Sequence, residues 1–171
     1  MSENRPNHPG EIKKDRSALE ISNLKRREIQ APLLACLLKG YISEMGHDKA
    51  LEIASKSIQG DAMLAGKLMA GKYGGNSMNE LLRVVRETWA EENALEFTIL
   101  EATDQNLSFN VTRCRYAELY DRLGMKEYGY CFSCNRDAPL IKGFNPGMNL
   151  LRSQTIMQGA TICDFRVILE K

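Results

Sequence analysis

The sequence predicts an α+β domain: N-terminal helices packed on a small antiparallel β-sheet built from two hairpins. Three observations carry this. Helical apolar spacing runs through the first half of the chain. The period then drops to two at Leu95, Phe97 and Ile99, with a return run over Leu107 to Thr112. A second pair of strand-like runs, about Leu150 to Gln158 and Cys163 to Leu169, closes the chain.

Taken in order, Met1 to Ser17 is polar, carries Pro6, Pro9 and Gly10, and reads as a flexible tail in which His8 has no role. The single domain then occupies 18–171. Ser17 caps a helix to about Gln30, with Leu19, Ile21, Leu24 and Ile29 on its apolar face. Pro32 predicts a break near Ala31, because proline is tolerated in a first turn and not in mid-helix. The next helix, Pro32 to Met45, is apolar nearly all round, which suits the core or a dimer interface. Asp48 caps a third helix, interrupted at Gly60–Asp61 and resumed over Ala62 to Lys72. Ser77 and Glu80 form a capping box opening Met78 to about Ala90. Asp104-Gln105-Asn106 turns the first hairpin. Arg113 to Leu123 is helical with Gly124 as its C-cap. Tyr128 to Ile141 reads as one more helix, placing Cys131 and Cys134 a turn apart. Asn145-Pro146-Gly147 and Gly159-Ala160 are turns.

The chain has 171 residues, 43% hydrophobic and 26% charged, with net charge +1. That is one domain with room for a real core. The charge gives no footprint for nucleic acid. The longest apolar run, Ala31 to Leu38, is too short for a bilayer. The N-terminus has no apolar signal region, so a cytoplasmic location is expected. Five cysteines there are expected to stay reduced, and their odd number forbids full pairing.

Four of the five fall between Asn110 and Phe165: Cys114, Cys131, Cys134 and Cys163. Cys131-Phe-Ser-Cys134 spells C-x-x-C, but a redox dithiol belongs at a strand-to-helix junction in a βαβ unit, and a zinc ribbon needs a second pair. In Cys134-Asn-Arg-Asp137, cysteine and aspartate share one helix face. That pair can activate a thiolate, bind a metal or hold an amidinium; the plain alternative is a buried thiol beside an Arg136–Asp137 salt bridge. Cys163 and Asp164 are strand neighbours and point to opposite faces, so Cys163 sides with Phe165. Cys114 lies at a strand-to-helix junction next to Arg113, where helix N–H groups lower a thiol pKa. Cys114, Cys134, Cys163 and Asp137 are a chemically reasonable set for a divalent metal such as zinc, though their scatter gives no specific ligand spacing.

The blocks V-T-R-C-R-Y-A-E-L-Y, C-N-R-D, G-F-N-P and R-S-Q-T-I-M-Q-G-A-T-I-C-D-F resemble the L-2-amino-thiazoline-4-carboxylic acid hydrolase family. The lead-in R-R-E-I-Q-A-P-L-L is similar to it as well, so the resemblance runs from about Leu24 to the C-terminus. It implies a hydrolase acting on a non-peptide C–N bond of a small cyclic amidine, with water or a thiolate attacking the amidine carbon. By match to the family's blocks, Cys134, Asp137 and Cys114 form the expected catalytic set: Cys134 as nucleophile or ligand, Asp137 as amidine partner and proton shuttle. Arg113 or Arg152 would bind the substrate carboxylate, Asn110 or Gln154 would orient it, and Cys163 would line the site. Cys131 and Cys36 are expected in the core.

Two other readings stand beside this one. The layout also looks like small-molecule-binding domains related to 4-vinyl reductases, in which a pocket binds a ligand or metal without turnover. The other is redox chemistry at Cys131 and Cys134. Under the first two readings the partner is a small molecule, with no nucleic acid and no membrane; a homo-oligomer is left open by the apolar helix.

Overall fold

The computed structural model describes residues 21–170. The Met1–Ser17 tail, its boundary with the domain, and the Ser17 cap lie outside the described residues. Helix α1 spans Asn23–Met45 and is capped by Ser22, whose Oγ accepts from the Lys25 N–H and donates to Glu92. The expected break at Ala31 is absent: Pro32 sits inside one continuous helix. Its ring is exposed, and Ala31, Ala35 and Leu38 are buried on the opposite side, where α1 meets α2, so packing holds the helix through the lost donor. Nor is the second half of α1 a core helix. Only Ala35 and Leu38 are buried in it, and Leu33, Cys36, Leu37 and Tyr41 are exposed.

Helix α2 (His47–Tyr73) is capped by Gly46 rather than Asp48, which lies in its first turn, and it runs through Gly60 and Asp61 unbroken. Gly74, at φ +74°, closes it by donating to the Ala70 and Gly71 carbonyls. Helix α3 (Met78–Val84) opens with the expected Ser77–Glu80 capping box and continues as a π-helical turn over Val85–Trp89.

The four strands are β1 (Leu95–Ala102), β2 (Asn106–Cys114), β3 (Met148–Leu151) and β4 (Cys163–Leu169). They form one antiparallel sheet in the order β1-β2-β4-β3. The helices between β2 and β3 are α4 (Arg115–Arg122), α5 (Lys126–Phe132) and α6 (Asp137–Phe144). The single helix expected over Tyr128 to Ile141 is therefore three segments, with a 3-10 turn at Cys134–Arg136 between α5 and α6. Pro139 explains the restart, because it sits in the first turn of α6, where a missing N–H costs little. The expected strand to Gln158 also stops at Leu151. The Asp164 carboxylate takes the backbone N–H groups of Ser153 and Gln154, and Ile156–Gln158 then forms a 3-10 turn under the Thr155 cap.

Alternation on β2 and β4 turns Leu107, Phe109, Val111, Phe165 and Val167 inward, against α3, the π turn and α6. Phe109 and Phe165 stack at 4.7 Å. A second apolar cluster joins α1, α2, α4 and α5 through Ala31, Ala35, Leu38, Tyr120, Tyr128 and Phe132. Cys134 belongs to the second cluster and Cys163 to the first, so the two cores meet at these thiols.

Candidate active-site cavity

A cavity of about 80 Å³ lies at that meeting point. Trp89, Leu95, Val111, Leu140 and Phe165 supply apolar walls; Cys114, Cys134, Cys163, Asp137 and Arg152 supply chemistry, joined by Arg27, Arg136 and Tyr116. At roughly 10–15 Å³ per water, the volume holds on the order of six waters or one small ring compound.

Each group arrives for a local reason. Asp137 is the first residue of α6, where a carboxylate is favoured by the helix dipole. Arg152 follows β3 directly. Its Nη1 donates to Asp137 Oδ2, its Nη2 donates to the Cys134 carbonyl at 3.1 Å, and its guanidinium lies 5.1 Å from the Phe165 ring centroid. Both side chains are largely withdrawn from solvent, at 8% and 23% exposure for Arg152 and Asp137. Burial pushes the Asp137 carboxyl above its ordinary value, opposed by Arg152. Cys163 faces the cavity with Phe165, as strand alternation requires, and its Sγ accepts from the Ile156 N–H at 3.2 Å. Asp164 points to the other side of the sheet.

The thiols are not activated. Burial pushes Cys134 and Cys163 up, and the charge of Asp137 adds to the effect at Cys134. At Cys114 the start of α4 draws the thiol down, as expected, but burial wins and carries it up to about 11. Arg113 does not reinforce it: that side chain turns out to solvent and pairs with Glu118 at 2.7 Å and Glu96 at 3.1 Å.

The structure thus gathers Cys114, Cys134, Cys163, Asp137 and Arg152, and leaves Asn110, Arg113 and Gln154 elsewhere. Asn110 alternates with inward Val111 and accepts from Arg166 at 2.8 Å on the outer sheet face. Gln154 is exposed, and its backbone N–H serves Asp164. Cys131 is buried as expected, 3.4 Å from Ser55 Oγ, whereas Cys36 is exposed. All five cysteines are free thiols. Among the described residues, no three His, Cys, Asp or Glu side chains come together as a metal-ligand group.

Sequence reasoning missed Arg27, Arg136, Tyr116 and Trp89. Arg136 donates to Asp61 at 2.7 Å, and Tyr116 donates to the Trp89 carbonyl at 3.1 Å. Arg27, from the first turns of α1, donates to Gln30 at 3.2 Å and forms no direct ion pair with a carboxylate among the described residues. Burial and the neighbouring Arg136 lower it to about 10, so it remains a cation at neutral pH. The one available signal was its place in the R-R-E-I-Q-A-P block. An open groove of about 510 Å³ lies on the other side of Arg152 and Cys134, the two residues that line both spaces.

The fold is α+β, with helices packed on a four-stranded antiparallel sheet. The chain resembles the phenol-responsive sensory domain of the transcription activator PoxR, solved with phenol, at TM-score 0.53 and 11% identity over 81% of this chain and 73% of that one. It also resembles trafficking protein particle complex subunit 3 from Naegleria fowleri, covalently bound to palmitic acid, at TM-score 0.52 and 12% identity over 86% and 96% of the two chains. No curated protein matches. The family model for L-2-amino-thiazoline-4-carboxylic acid hydrolase matches residues 26–167, and the chain belongs to that family. Among the described residues, no helix is long and apolar enough to cross a membrane.

Proposed function

We propose that the protein hydrolyses a C–N bond of a small cyclic amidine bearing a carboxylate, of the L-2-amino-thiazoline-4-carboxylate type. One observation carries this: the Asp137–Arg152 pair and Arg27, a cation in no ion pair among the described residues, share one small, mostly apolar cavity. Arg27 holds the substrate carboxylate by charge-assisted hydrogen bonds. Asp137, held in place by Arg152, faces the amidine. Cys134 and Cys114 are neutral thiols at working pH, so water is the nucleophile and the thiols shape the pocket. Asp137 takes one proton from water as the oxygen bonds to the carbon of the protonated amidine, then returns it to the ring nitrogen; as the C–N bond breaks, the second hydroxyl proton passes to the departing amine and the carbonyl forms. The product is an S-carbamoyl amino acid. The reaction is placed in the cytoplasm, a reading supported by five cysteines that are all free thiols.

A second reading is a binding module that senses a small aromatic or cyclic molecule without turnover. It is favoured by the aromatic wall of Trp89 and Phe165, 6.1 Å apart, and by the fold shared with a phenol-responsive domain.

The deciding experiment is a chromatographic assay of the purified protein with L-2-amino-thiazoline-4-carboxylate. Ring-opened product from the wild type, none from Asp137→Asn, and a raised KM in Arg27→Met support the hydrolase. Stoichiometric binding of the same compound with no product supports the module instead.

A further inference from the structure

Helix α1 carries a row of large, exposed apolar side chains. Ile29, Leu33, Leu37, Tyr41 and Met45 follow at intervals of four, Leu34 widens the row, and each is 37–66% exposed. Residues four apart form a ridge on a helix. Between Ile29 and Ser43 the one charged residue is Lys39. Such a face presents on the order of 500 Å² of apolar surface, the size that marks an interaction site on a monomer.

From Ile29 to Tyr41 the row is symmetric about its middle. An antiparallel copy of the same helix, centred between Leu33 and Leu37, sets Leu33 against Leu37 and Ile29 against Tyr41. That is the reciprocal pattern of a two-fold interface. Charge agrees with this direction. Arg26 flanks the row at its N-terminal end and Glu44 at its C-terminal end, and neither is in an ion pair among the described residues. The antiparallel arrangement brings each Arg26 towards the other copy's Glu44; a parallel one sets like charges together. Gly40 lies beside the row with open space over its Cα, so the two backbones can approach closely. Contact along the whole row calls for the shallow crossing class, about +20°. Arg26, Gln30 and Glu44 form its polar rim.

We propose that two copies of this chain pair through α1, antiparallel, about an axis between Leu33 and Leu37. The proposal is independent of the reaction assigned to the cavity.

Sedimentation equilibrium on the full chain tests it. The wild type is expected at twice the 19.3 kDa chain mass, and Leu37→Glu at the monomer mass with an unchanged circular dichroism spectrum. Arg26→Glu is expected to weaken the dimer about tenfold or more, and adding Glu44→Arg to restore it. Leu33→Cys with Leu37→Cys in a Cys36→Ser background is expected to cross-link the two copies on mild oxidation. A wild type that stays monomeric at its highest soluble concentration overturns the proposal, with residues 1–20 or another protein then the occupant of the face. So does a dimer that Leu37→Glu leaves intact, or a charge swap that restores nothing.

Discussion

Gly66 of α2 and Gly143 of α6 meet with no room for a Cβ on either: a methyl at Gly66 would overlap the Leu140 carbonyl oxygen, and one at Gly143 that of Met63. The obstacle is backbone in both cases, so a side chain cannot simply move aside. This contact seats α6, whose first residue is Asp137. Gly66→Ala or Gly143→Ala is expected to cost about 1–3 kcal/mol by overpacking, read as a lower urea midpoint, and to reduce turnover by displacing Asp137.

The Asp137–Arg152 pair separates stability from chemistry. Arg152→Met leaves a withdrawn carboxylate without its cation and is expected to destabilise by about 3 kcal/mol. The double variant Arg152→Met/Asp137→Leu is expected to recover most of that stability and no activity. Burial raises the Asp137 carboxyl, so the base is lost on acidification at a higher pH than an ordinary carboxylate near 4. kcat/KM is therefore expected to fall on the acid side above that range. A pH–rate profile that stays flat down to pH 4 contradicts this role.

Thiol exposure predicts an order of reaction. Cys36 is exposed on α1, while Cys131, Cys134 and Cys163 are buried and the half-buried Cys114 is pushed up to about 11. A thiol reagent at pH 7.5 is expected to label Cys36 quickly and the other four at the rate of unfolding. Cys134→Ser is expected to keep the fold and lose less than tenfold in kcat. Loss as complete as in Asp137→Asn would restore Cys134 as nucleophile.

Asp164 provides an acid-side check on the β3–β4 connection. Burial alone would raise this carboxyl, but the Ser153 hydroxyl and the N–H groups of Gln154 and Ser153 together hold it below its ordinary value. A group lowered by folding adds stability that is fully present above its unfolded pKa, near 4, and is lost as pH falls through the folded value. Asp164→Asn is therefore expected to lower stability at pH 6 and to flatten the decline between pH 4 and pH 2 in urea titrations.

The local patterns that depend on few neighbours were legible in the chain. The Ser77–Glu80 capping box, the β1–β2 hairpin, strand β4 and the siding of Cys163 with Phe165 all follow from spacing of two or 3.6 and from capping chemistry. Of the candidate site, the family blocks held Cys114, Cys134, Cys163, Asp137 and Arg152. Asn110, Arg113 and Gln154 were misplaced because being polar and near a cysteine in sequence does not say which face of the sheet a residue takes. Pro32 was misread because tertiary packing on α2 outweighed a local helix rule.

The sequence by itself determined the fold class, the inward face of each strand and the residue types available for chemistry, since these depend on periodicity and local hydrogen bonding. The tertiary structure alone decided that Arg27 from α1 reaches the cavity, that Arg152 spans from Asp137 to the Cys134 carbonyl, and that the thiols stay protonated. Those are matters of burial and of contacts between segments far apart in the chain, and neither has a signature in local spacing.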